Sequence, residues 1–144
     1  MNFSLIFLLF LPILFNFCFT NDWTDCSESN DTLKIKSLTF IPDPPESGKL
    51  FTIHLDADVL RKIDAATAYA TVYFNGIKIL QIQENFCSII NITCPITDPV
   101  LHFQVTETIP SYVPSGEYSG QIEVIDNNNQ QVTCIKYDLP IVSN

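Results

Sequence analysis

His54 lies two residues before Asp56 in KLFTIHLDADV, residues Lys49–Val59, so on an extended strand the two share a face as a conceivable base–carboxylate pair. His102, flanked by Leu101 and Phe103, points outward in a second alternating run. A general base needs a reacting group within reach. Both histidines instead sit on polar strand faces, the ordinary place for a solvated side chain. Asp56 and Asp58 also share a face and could approach a cation. Calcium takes six to eight oxygen ligands, and no further carboxylates cluster there. The run DNNNQ, Asp126–Gln130, has a calcium-loop look, but hairpin-turn chemistry accounts for each residue in it. There is no Gly-x-Ser-x-Gly elbow, no His-Glu-x-x-His pair and no phosphate-cradling loop, and the chain has four glycines in all. The sequence therefore predicts no enzyme, no cofactor and no metal.

Cysteine chemistry is more informative. CSIINITCPI, Cys87–Ile96, brackets the sequon Asn91-Ile92-Thr93 between two cysteines, and a second sequon, Asn30-Asp31-Thr32, follows Cys26. Asn30 and Asn91 are the expected glycosylation sites. The N-terminus, MNFSLIFLLFLPILFNFCFT, reads as a secretory signal cleaved after Thr20, with a retained anchor as the alternative. Cleavage removes Cys18 from a total of five cysteines and leaves Cys26, Cys87, Cys94 and Cys134. Four cysteines allow three pairings, of which Cys26–Cys134 with Cys87–Cys94 is the simplest. An oxidising compartment favours disulfides over a thiol or zinc site. The expectation is one domain, residues 21–144, in a secreted or endosomal/lysosomal lumen. Sixteen acidic against seven basic residues, a net charge of −9, exclude nucleic acid, which needs clustered cations. They leave room for a monomer that touches membranes only transiently.

These residues are carried by elements of period two. Phe51, Ile53, Leu55, Ala57 and Val59 alternate with polar residues, as do Ala68, Ala70, Val72 and Phe74. Thr32–Phe40 shifts parity near Lys36–Ser37, which predicts a bulge. The proline-rich IPDPPESG, Ile41–Gly48, predicts a turn. Asn75-Gly76 predicts a tight hairpin, because both residues accept positive φ. Strands are further expected over Ile77–Ile82, Val100–Thr106, Gly116–Ile125 and Val132–Ile141. Seven to eight such strands describe an all-β, immunoglobulin-like antiparallel β-sandwich. Trp23 is expected ahead of the first strand, so the buried Trp–disulfide signature of antibody domains is missing.

The one-sided apolar strands either fill a closed core or line a cavity between splayed sheets. Alternation parity nominates Phe51, Ile53, Leu55, Val72, Phe74, Ile96, Leu101, Phe103, Val105, Ile122 and Val124 as the inward set, with Ile96 opening a strand. A slip of one residue would turn any strand's members outward.

Several features occur together over nearly the whole chain after residue 20: the early Cys26, the Asn75-Gly76 turn before Ile77 and Ile79, Cys-x6-Cys-Pro-Ile at Cys87–Ile96, and PSGEYSGQIEVID running to VTC at Cys134 and a Leu-Pro-Ile-Val ending. In these features the chain resembles the ML (lipid-recognition) family. Its secreted members include the Niemann–Pick type C cholesterol-transfer protein and the phosphatidylglycerol/phosphatidylinositol transfer proteins. The resemblance implies two sheets with a lipid held between them, and pairing of Cys26 with Cys134 and Cys87 with Cys94. Cholesterol-binding members carry a further disulfide where this chain has the cysteine-free IPDPPESG, which points to the phospholipid branch. The expected function is intermembrane transfer of phosphatidylglycerol or phosphatidylinositol, with sterol transfer as the alternative. An immunoglobulin-like protein-binding module is the competing class. It would have a filled core and an aromatic patch around Tyr69 and Tyr73.

Overall fold

Eight antiparallel strands form two sheets in the computed structural model, which describes residues 22–143. The apolar leader, Cys18 and the expected cleavage point lie outside the described residues. The strands are β1 (Asp22–Asp25), β2 (Leu33–Ile41), β3 (Leu50–Val59), β4 (Ala66–Phe74), β5 (Ile77–Asn85), β6 (Val100–Thr108), β7 (Gly116–Asp126) and β8 (Gln131–Ile141). One sheet has five strands in the order β1-β8-β7-β4-β5, and the other has three in the order β2-β3-β6.

Local chemistry explains most of this layout. Asn75 and Gly76 take φ of 47° and 80° and turn β4 back onto β5. Asp126 accepts from the backbone N–H groups of Asn128 and Gln130, both at 2.8 Å, while Asn129 takes a positive φ of 62° to close the β7–β8 hairpin. The register of β2 on β3 shifts between Ile35 and Ser37, at the predicted bulge. Both expected disulfides are present, Cys26–Cys134 and Cys87–Cys94.

Two expectations are corrected. Trp23 does not precede the first strand; it lies within β1, because the backbone of Asp22–Asp25 finds partners along the edge of β8, with Trp23 opposite Tyr137. Ile96 does not begin a strand: it makes an isolated bridge to Ile63, and β6 starts only at Val100. A short helix, α1 (Phe86–Ile89), occupies the first half of the disulfide loop, capped by Asn85, whose Oδ1 accepts from the Ser88 N–H at 3.0 Å.

The core divides in two. The main cluster, around Leu33, Ala57, Val124 and Val132, lies at the α1 end of the sandwich. A second, around Ile109, Tyr118 and Ile141, lies at the opposite end, where Phe74 and Tyr118 stack with ring centroids 4.8 Å apart.

Candidate binding cavity

Register defines which side chains meet between the sheets. In the three-stranded sheet, Ile35–Ala57–Leu101, Leu38–Leu55–Phe103 and Phe40–Ile53–Val105 form successive inward rows. In the five-stranded sheet the corresponding rows include Ala70–Ile122–Ile135 and Val72–Gly120–Tyr137. No Lys or Arg stands at any of these inward positions.

The rows enclose a cavity of about 70 Å³ lined by Leu33, Ile35, Leu55, Phe86, Ile90, Leu101, Phe103, Ile122, Val124, Thr133 and Ile135. Five of the sequence-predicted residues line it: Leu55, Leu101, Phe103, Ile122 and Val124. Phe51, Val72 and Phe74 pack instead against the second cluster. Ile53 and Val105 lie opposite each other, partly buried, and belong to neither cluster. Ile96 is buried in the main cluster, away from the cavity lining, since its bridge to Ile63 fixes it there. Leu33 and Ile35 had the right parity to be included. Thr133 and Ile135 required the faces of β8 to be assigned, and Phe86 and Ile90 required the helix.

The larger depressions have the wrong chemistry for an apolar guest. One of about 500 Å³ flanks the disulfide loop and is lined by Asn85, Ser88, Asn91 and Thr93 among others. Another, on the outer face of the larger sheet, is lined by Tyr69, Thr71, Tyr73, Gln81, Gln121 and Glu123. The two tyrosines predicted as an aromatic patch are partly buried there among polar neighbours.

A five-stranded sheet cannot be covered by a three-stranded one. The uncovered part is β5. Leu80 and Ile82 pair with Val72 and Ala70, so they face the interior side, yet they are 47% and 38% exposed. Ile77 at the hairpin is 70% exposed. At that same end of the sandwich Ile41, Leu50 and Tyr112 are also exposed. Asn30 and Asn91 are exposed too, but at the opposite end, beside the starts of β2 and the disulfide loop.

The outer face of the smaller sheet holds His54, His102, Asp56 and Asp58. Asp56 pairs with His102 across β3 and β6, not with His54 on its own strand, because cross-strand neighbours are closer than i, i+2 side chains. Ser37 Oγ donates to the other Asp56 oxygen at 2.9 Å, and Lys36 bridges Asp58 at 2.6 Å. The His102 bond first, then that of Ser37, hold the Asp56 carboxyl below the ordinary aspartate range. A depressed carboxyl stabilises the fold above its unfolded value, and that contribution disappears as pH falls through the folded value. Asp56→Asn should therefore lower the urea midpoint slightly near neutral pH, with the difference closing in acid as pH falls below the ordinary aspartate range. A difference that is constant or larger in acid would refute this. The serine contacts the carboxylate rather than the imidazole, so the group is not arranged as a nucleophile with its base.

Residues 20–141 match the family model described as ML domain. A Dictyostelium discoideum protein, provisionally named phosphatidylglycerol/phosphatidylinositol transfer protein 3, is 32% identical over 123 residues, covering 83% of this chain and 80% of its own. Among solved structures, a Niemann-Pick type C2 protein from Japanese carpenter ant superposes with a TM-score of 0.65 at 14% identity, over 83% of this chain and 98% of the other. Chicken MD-1, solved in complex with lipid IVa, gives 0.54 at 16% identity, over 81% and 95%. Both share the fold of this chain.

Proposed function

The chain belongs to the ML domain family, and from that membership we propose that it holds a lipid between its two sheets and carries it between membranes, with phosphatidylglycerol or phosphatidylinositol as cargo. The observation that carries the reading is the apolar cavity between the sheets, which is bounded by no charged side chain. Burial of each methylene is worth about 0.8 kcal/mol, so an acyl chain is held there without directional contacts. The eleven predicted inward residues contribute shape and dryness, including those that now pack against the clusters beside the cavity.

At about 70 Å³ the cavity is smaller than the roughly 300–1,000 Å³ pockets that take drug-sized ligands. Cargo therefore enters by parting the sheets. The partly buried row Phe40–Ile53–Val105, between the two clusters, is where that separation breaks the fewest tight contacts.

Membrane contact is made through the end that exposes Ile41, Leu50, Ile77 and Tyr112. With a net charge of −9, apolar insertion rather than electrostatic attraction supplies it. Sugars on Asn30 and Asn91 then project from the far end and do not obstruct docking. Two disulfides and the exposed Asn30 and Asn91 support a domain that begins after a leader cleaved at Thr20 and resides in a secreted or endosomal/lysosomal lumen; the protein acts as a monomer. The reading involves no catalytic step.

Protein purified from cells and extracted with organic solvent should yield about one phospholipid per chain, and should move labelled phosphatidylglycerol between vesicles. A sterol in the extract would reassign the cargo. No stoichiometric lipid and no transfer would leave the protein-binding module as the surviving alternative.

A further inference from the structure

Tyr137 is the one polar side chain besides Thr133 on the interior face of β8, with Ile135 on one side and Leu139 on the other. Its ring reaches across β7. A Cβ on Gly120, its register partner, would stand 2.6 Å from the phenol Cζ and closer still to the hydroxyl. The absence of a side chain at residue 120 is what lets the phenol lie there. Among the described residues its hydroxyl has no hydrogen-bond partner. Tyr118, on the next strand, shows the usual arrangement: its hydroxyl donates to the Pro114 carbonyl at 2.9 Å. Tyr137 is partly buried, and that burial raises its phenol above the ordinary range. A partly buried hydroxyl with no protein partner gains by finding an acceptor, since buried polar groups in native structures are usually hydrogen-bonded.

We propose that the Tyr137 hydroxyl donates a hydrogen bond to an ester carbonyl of the bound phospholipid, and so sets how deep the cargo sits. The inference rests on the lipid-carrying function proposed above. The acceptor is an uncharged oxygen, because among the described residues no inward Lys or Arg is available to neutralise a phosphate at this depth. The location suits an ester group. On the Ile135 side lies the apolar cavity that takes acyl chains, and on the Leu139 side lies the end that meets the bilayer.

The test compares the full chain and its Tyr137→Phe variant, each with vesicles of ester-linked and of ether-linked phosphatidylglycerol. The variant keeps the ring over Gly120 and removes only the hydroxyl. It should bind the ester lipid roughly threefold to tenfold more weakly than the native protein. The two proteins should bind the ether lipid equally, because it lacks the carbonyl. The thermal midpoint of the lipid-free variant should be unchanged or higher, since an unpartnered hydroxyl has been removed. Equal affinity of both proteins for the ester lipid would overturn the proposal, and so would a lower midpoint with unaltered binding. A loss of the same size on both lipids would place the contact at the headgroup and overturn the ester assignment. Native protein that takes up neither lipid would overturn the carrier function itself, an outcome recognisable without the variant.

Discussion

Replacing Cys26 and Cys134 together by alanine is expected to lower the unfolding free energy by about 4–5 kcal/mol. The bond closes a loop with a sequence separation of 108, so it removes more freedom from the unfolded chain than any shorter link could. It also anchors a seam that has little else. β1 has four residues and pairs only with β8, and just beyond it the Cys26 N–H donates to the Cys134 carbonyl at 3.0 Å. Beside it, Ser27 and Thr133 share a hydroxyl–hydroxyl bond at 3.1 Å, and Ser27 Oγ accepts from the Cys134 N–H at 3.0 Å. Typical domains hold about 5–15 kcal/mol in total, so the variant should be close to unfolding at body temperature. The matched Cys87→Ala, Cys94→Ala variant opens a separation of only seven and should lose about 2.5 kcal/mol. Urea midpoints for both, with the slope of each transition, decide the matter. An equal loss, or a larger one for the short loop, would contradict the chain-entropy account.

The second large effect concerns transport. Ile122→Trp should reduce vesicle-to-vesicle lipid transfer more than tenfold while leaving a folded protein. Ile122 lines the cavity from β7, a strand paired on both sides by β4 and β8, so its backbone has little freedom to retreat. An indole there fills space that the first methylenes of an acyl chain must enter. Overpacking costs about 1–3 kcal/mol, which the fold survives with its disulfides intact. Gln121→Trp is the control: the neighbouring side chain faces the outer depression with Tyr69 and Tyr73. Native transfer rates in Ile122→Trp, or equal losses in both variants, would count against cargo between the sheets.

How much of this was legible beforehand can be judged residue by residue. Ala68, Ala70, Val72 and Phe74 were placed on one face by alternation, and their cross-strand partners Val124, Ile122, Gly120 and Tyr118 share that face. The bulge at Ile35–Ser37 was legible because a parity change along a strand has no other cheap solution. Ile96 looks locally like a strand start because it follows the Cys94-Pro95 turn, whereas its actual partner, Ile63, is remote in sequence. The four residues of β1 carry too little pattern to announce a strand, so the sequence alone does not place Trp23 in the sheet. The pairing of Asp56 with His102 depended on β6 lying beside β3 in one particular register.

By itself the sequence determined the strands other than β1, their inward faces, the turns at Asn75-Gly76 and Asp126–Gln130, and a disulfide count suited to an oxidising lumen. These follow from alternation, from which residues tolerate positive φ, and from parity, all of them properties of near neighbours along the chain. Only the tertiary structure decided that β5 is a half-covered edge, that Ile41, Leu50, Ile77 and Tyr112 are exposed at the end opposite Asn30 and Asn91, that the cavity is no larger than about 70 Å³, and that Tyr137 lies across Gly120. Those depend on sheet order, register and the spacing of two sheets, which are set by contacts between residues far apart in the chain.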